Sequence, residues 1–148
     1  NTKASGSHLD FDLDLAVQQS NDNPVYYVQY AHARICSMLK LLESEGIKVP
    51  SKDTVNYELL AQKEEIELMK KLAELPEEIR IAADTLEPSR LTRYVLDVAS
   101  LFHSFYNACR VKGEREDIMN ARIILVDSTR IVMENVLKIL SISAPERM

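Results

Sequence analysis

"NPVYYVQYAHARICSMLKLLESEG", Asn23 to Gly46, decides the fold class. Asn23-Pro24 reads as an N-cap followed by proline at the first helical position, where a missing N–H costs nothing. Behind it Val28, Ala31, Ile35, Met38, Leu39 and Leu42 recur at the three-and-four spacing of one helix face. Gly46 is the stop, because glycine takes the left-handed turn that ends helices. The pattern predicts a helix of about 22 residues, roughly 33 Å long. Its first three turns carry something a core does not need: Tyr26, Tyr27 and Tyr30, with Gln29, His32 and Arg34 among them.

The same signals recur downstream. A second helix is expected from about Thr54 to Glu74, with Leu59, Leu60, Ile66, Met69, Leu72 and Ala73 as its stripe and a solvated "KEEIELMKK" face. Pro76 opens a shorter third helix, "PEEIRIAADTLE", whose Glu77 and Glu78 suit the positive end of the helix dipole. The fourth runs from about Ser89 to Val111, with Leu91, Tyr94, Val95, Val98, Phe102, Phe105, Tyr106 and Cys109 forming a broad stripe. The fifth runs from about Glu116 to Leu140 through Ala121, Ile124, Leu125, Ser128, Ile131, Val132, Val136 and Ile139. "SISAPERM" follows as an uncapped tail.

Upstream, "LDFDLDLAV" at residues 9–17 alternates apolar and acidic, the period of a half-buried strand, although its "LDLAV" end equally suits a helical turn. Asp10, Asp12 and Asp14 share a face that either chelates a cation or is merely solvated; solvation is the commoner case, and no metal site is assigned.

Long helices with one apolar stripe each must bury those stripes against one another. Short connections make neighbours antiparallel, so the expected fold is all-α: an antiparallel helical bundle of about five helices. Three glycines in 148 residues agree, since tight turns are few.

The totals exclude several classes. With 46% apolar and 28% charged residues the chain is an ordinary globular domain. Its net charge of −5 argues against wrapping duplex DNA through phosphates alone. Cys36 and Cys109 sit inside helical patterns and read as buried thiols of a reducing compartment. No apolar run is long enough to span a membrane, so a cytoplasmic setting is expected, with neither membrane nor DNA as partner.

No Gly-rich phosphate loop, GxSxG or HExxH motif is present, and His32 and His103 read as isolated helical histidines, packed or capping. No catalytic residue is assigned, which leaves a binding or structural domain. Tyr27, Tyr30 and Arg34 follow the i, i+3, i+7 spacing of one helix face, and Tyr106 and Arg110 repeat the pairing at i, i+4 on the fourth helix. Such rings and guanidinium groups stack on unpaired bases, but they also serve as amphipathic rims of an ordinary core.

Two stretches carry a resemblance. "SHLDFDLDLAVQQSNDNPVYYVQYAHARICSML", residues 7–39, resembles the junction between the catalytic and anticodon-binding domains of arginyl-tRNA synthetases. "ARIILVDSTRIVMENVLKILSISAPERM", residues 121–148, resembles their carboxy terminus down to "APERM". The middle, about residues 45–85, matches only as generic helix. Where the family has the tetrapeptide Asp-Ala-Leu-Arg, this chain reads Asp127-Ser128-Thr129-Arg130, keeping the charged ends and losing the apolar middle.

The resemblance implies a class I arginine–tRNA ligase whose bundle, residues 21–148, grips the anticodon loop of arginine tRNA, with residues 1–20 the remnant of the catalytic domain. It implies RNA contacts by Tyr27, Tyr30, Arg34, Tyr106, Arg110 and Met148. ATP, Mg2+ and the two signature motifs of catalysis would belong to the upstream catalytic domain, leaving no cofactor and no catalysis here. Every arginine anticodon has cytosine in the middle, and its N4 amine wants an acceptor such as a carbonyl of the "APERM" tail. The reading from a different class is a helical protein-interaction module that docks a partner helix on the tyrosine face.

Overall fold

The computed structural model describes residues 12–20 and 22–148. Six α-helices occur among them: α1 (Leu13–Val17), α2 (Pro24–Ser44), α3 (Lys63–Ala73), α4 (Leu75–Asp84), α5 (Ser89–Ala108) and α6 (Glu116–Ile139), with no strand among the described residues. The five expected helices are α2 to α6. Residues 13–17 take the helical alternative rather than the strand, Asp12 before them is irregular, and residues 9–11, with Asp10, lie outside the described residues.

Helix α2 begins as its sequence dictates. The Asn23 side-chain oxygen accepts from the Val25 N–H at 3.1 Å, and Pro24 follows at the first helical position. At its end Gly46, with φ of 84°, lets Ile47 N–H reach back to the Leu42 carbonyl at 2.9 Å. The same closure ends α4 and α6, but there the left-handed residues are Leu86 (φ 57°) and Ser141 (φ 58°). Ile142 N–H then bonds the Leu137 carbonyl at 2.8 Å and turns the tail off the end of α6.

Two expectations need correction. The second helix does not start at Thr54: Lys52–Thr54 and Tyr57–Leu59 are single 3-10 turns, and α3 starts at Lys63. Asn56 explains the interruption, because its side chain accepts from Glu58 N–H at 3.0 Å and competes with helix formation. The fourth helix ends at Ala108, where Cys109 turns extended, so Arg110 is not on α5 at all.

Stripes shift too. Leu68 is fully enclosed, whereas Ala73 is exposed. On α6, Arg122, Val126, Thr129, Met133 and Leu137 are buried and Ile139 is 53% exposed. The "KEEIELMKK" face is not simply solvated. Glu65 within it is fully buried and accepts from Arg122 Nε at 2.6 Å, and its other oxygen takes the Gln62 N–H at 2.8 Å. Arg122 also donates to the Arg110 carbonyl. One buried ion pair thus ties α3, α6 and the α5–α6 turn together.

Helix α5 is the centre of the molecule and packs against α2, α3, α4 and α6. Phe102 and Phe105 are its enclosed bulk, and Tyr94 is buried with its hydroxyl donating to the Lys71 carbonyl at 3.0 Å. Tyr27 meets His103, Arg34 meets Tyr106 and Glu45 pairs with Lys112, so α2 and α5 advance in the same general direction. The intervening α3 runs against both, since its Lys71 end meets Tyr94 near the start of α5 while its Glu65 end meets, through Arg122, the Arg110 carbonyl beyond the end of α5. That arrangement brings the aromatic residues of two non-consecutive helices side by side.

Candidate nucleic-acid interface

Helical spacing puts Tyr26, Tyr27, Tyr30 and Arg34 on the flank of α2 that faces α5. The facing stretch of α5 supplies His103, Tyr106 and Asn107. The result is an open groove of about 690 Å³ lined by Gln19, Ser20, Tyr26, Tyr27, Tyr30, Arg34, His103 and Asn107. Its floor is aromatic. Tyr26 and Tyr30 are near-parallel at 6.5 Å between centroids, and Tyr30 and His103 follow at 6.2 Å with a tilt of 26°. Tyr27 meets His103 at 5.2 Å.

Arg34 is the cation of the groove. Its guanidinium carbon lies 4.2 Å over the Tyr106 ring, and NH1 donates to the Tyr30 hydroxyl at 3.3 Å. Tyr106 does most to hold it in the charged form, burial works the other way, and Tyr30 adds to the first. His103 is pushed in the opposite direction: burial first, then the positive charge of Arg34, lower its pKa below the usual histidine value. At neutral pH its ring is therefore neutral, with one donor and one acceptor nitrogen. What this surface offers is flat faces for stacking and polar edges for hydrogen bonds.

The expected site residues separate into three groups. Tyr27, Tyr30, Arg34 and Tyr106 converge as their spacing suggests. Arg110 does not join them: it is exposed beyond the end of α5 and lines a neighbouring groove with Met38, Leu41 and Tyr106. The helical i, i+4 relation that paired it with Tyr106 does not exist past Ala108. Met148 is 54% exposed at the end of a tail that folds back along α2. Gln29 Nε2 donates to both the carbonyl and the hydroxyl of Ser143 at 2.9 Å, His32 Nδ1 lies 2.9 Å from the Pro145 carbonyl, and Lys40 pairs with Glu146. A carbonyl only accepts, so Nδ1 carries the proton. These anchors lie on the flank of α2 opposite the tyrosines, across its solvent-facing ridge.

Sequence reasoning missed His103 and Asn107. The signal was there: with Tyr106 they occupy i, i+3 and i+4 on α5, one face of that helix. It also missed the tail anchors, since a tail without periodicity leaves no pattern to read. Asp127 and Arg130 pair with each other at 2.9 Å, and the buried Thr129 hydroxyl donates to the Leu125 carbonyl at 2.8 Å. The tetrapeptide is thus a structural piece of α6.

An all-α bundle with an aromatic, cationic groove between two of its helices has the make-up of a helical binding domain. Residues 28–148 match the DALR anticodon binding domain, and the chain belongs to that family. It is 77% identical to the arginine–tRNA ligase of Acetivibrio thermocellus and 75% identical to that of Ruminiclostridium cellulolyticum, each over 100% of this chain and 26% of the relative. Among solved structures, the arginyl-tRNA synthetase of Thermus thermophilus superposes with a TM-score of 0.78 at 30% identity, over 95% of this chain and 24% of that one. The chain spans about a quarter of the length of the curated relatives it matches.

Proposed function

We propose that this domain binds the anticodon loop of arginine tRNA for an arginine–tRNA ligase, with unstacked loop bases against Tyr27, Tyr30 and Tyr106 and Arg34 beside them. The observation that carries the reading is the convergence of Tyr26, Tyr27 and Tyr30 from α2 and His103 from α5 on one 690 Å³ groove, with the Arg34 guanidinium stacked on Tyr106 beside it. A core rim would not need a cation stacked on a ring at its mouth, whereas a single-stranded RNA loop offers both π-faces and phosphates to such a surface. The exposed Met148 closes the loop from across the α2 ridge, and the tail carbonyls accept the N4 amine of the middle cytosine. Arg110, exposed beside Tyr106, adds a phosphate contact.

In the whole protein the bundle serves a catalytic part, to whose end residues 1–20 belong, in the cytoplasm where tRNA is charged. ATP and Mg2+ enter the reaction there. Among the described residues no three His, Cys, Asp or Glu side chains are grouped to hold a metal ion. No helix among the described residues is long and apolar enough to cross a membrane.

The test is filter binding of an arginine anticodon stem-loop and of the same RNA with its middle anticodon base changed. Binding that falls at least about tenfold on changing that base supports the reading. Equal binding of both, or none, removes it. Deleting Arg147-Met148 weakens binding if the tail takes part, and unchanged affinity refutes that part alone.

A further inference from the structure

Within that groove one residue has a chemistry that stacking leaves unused. His103 stands on α5 between Phe102, at 5.7 Å, and the α2 tyrosines, a place where a leucine or phenylalanine would pack as well. Its ring continues the row that Tyr26 and Tyr30 begin, and so joins the aromatic surface of α2 to that of α5. Among the described residues neither of its ring nitrogens has a hydrogen-bond partner, although the ring is half-buried and lines the groove. Asn107, one turn further along α5, lines the same groove with its carboxamide. Polar edges left open inside an aromatic groove suit a ligand that brings both a flat face and its own donors and acceptors. A nucleobase is such a ligand.

We propose that His103 reads one unpaired base of the bound RNA: the base stacks in the Tyr30–His103 row, and the imidazole, with Asn107 beside it, hydrogen-bonds to that base's edge. The inference rests on the proposed RNA binding and adds a specificity-determining residue to it. A neutral imidazole offers one donor and one acceptor, and a carboxamide offers both. Burial first, and then the charge of Arg34 on the neighbouring helix, favour that neutral form. On its pairing edge every base presents a donor next to an acceptor, cytosine and adenine in one order and guanine and uracil in the other, so a given imidazole tautomer and carboxamide orientation match one pair of bases and oppose the other.

His103→Phe keeps a flat ring and removes both nitrogens. The experiment measures binding of the arginine anticodon stem-loop, and of a set of loops with each unpaired base changed in turn, to the unaltered protein and to H103F. The expected result is a loss of about tenfold on the unaltered loop, with the base preference at one loop position abolished and the others kept. His103→Asn is the second variant: it keeps a donor and an acceptor but loses the ring, and should bind more weakly while keeping the preference at that position. Thermal melting shows whether each variant is folded, and if H103F is not, H103N decides. H103F binding within twofold of the unaltered protein, a loss equal for every loop in H103F, or loss of the preference at that position in a folded H103N overturns the inference. If the unaltered protein itself does not bind the stem-loop, the proposed function fails first.

Discussion

The guanidinium of Arg34 on α2 lies 4.2 Å above the Tyr106 ring of α5. It is a contact between two helices as well as a feature of the groove. A partly desolvated cation over an aromatic face is worth about 0.5–2 kcal/mol. Arg34→Met and Tyr106→Leu should therefore each lower stability, and the double variant should lose less than the sum. A double-mutant cycle by urea denaturation measures this, with a coupling of about 0.5–1 kcal/mol expected. A coupling of zero would mean that the two groups only happen to be adjacent.

Glu65 is fully enclosed and Arg122 nearly so, and each is the other's charge partner. Removing Arg122 leaves Glu65 buried without its charge partner, whereas Arg122 without Glu65 keeps Glu114 at 3.6 Å. Arg122→Met should cost about 3–5 kcal/mol, while Glu65→Leu with Arg122→Met together should recover much of that. Denaturant midpoints of the three variants test it. A single variant as stable as the parent would contradict the buried pairing.

Leu86 holds a left-handed backbone at φ 57° and is 85% exposed, so it bears a strain that its side chain does nothing to offset. Leu86→Gly should raise stability by about 1 kcal/mol and leave RNA binding unchanged. Gly46→Ala, at φ 84° with open space around it, should lower stability by a similar amount. Thermal melts of the two variants should move in opposite directions.

Cys36 lies under the tail, in a cavity of about 410 Å³ that it shares with His32, Lys40, Ala144 and Glu146. Burial pushes its thiol pKa up and keeps it unreactive. Ending the chain after Leu140, or replacing Gln29 and His32 with alanine, should speed its reaction with a thiol reagent several-fold. Cys109, buried at 3% exposure away from the tail, serves as the unchanged control. Equal rates with and without the tail would mean that it does not stay docked.

The depressed pKa of His103 has a consequence for stability. Above the unfolded value of 6.5 both states hold a neutral ring, and the folded state keeps its full advantage. As pH falls below 6.5 the unfolded chain takes up a proton that the folded one refuses, so stability declines until the folded pKa is reached. Between about pH 7.5 and 5.5 the melting temperature should fall more for the parent than for His103→Phe. Parallel curves would show that the ring titrates normally.

Much of this molecule is legible along the chain. The Asn23 cap, Pro24, the stripe through Leu42 and the stop at Gly46 are decided within one or two turns, so local chemistry suffices to place α2. The same holds for α5 and α6 and for the all-α class. The interruption before Lys63 is also local: Asn56 caps a turn there, and the apolar spacing that begins at Leu59 does not reveal it.

The groove and the core polar pair have a different origin. Glu65 is acceptable inside only because Arg122 arrives from 57 residues away, and the tail lies on α2 only because His32 meets Pro145 across 113. His103 becomes a member of the tyrosine row only when α2 and α5 pack side by side. The sequence by itself settled the all-α class, the course of α2, α5 and α6 and that the stripes must bury one another, because caps, periodicity and stops act over a few residues. Which polar groups are buried, paired or left open at the groove was decided by tertiary packing, because burial and partnership are properties of neighbours that the chain brings together only on folding.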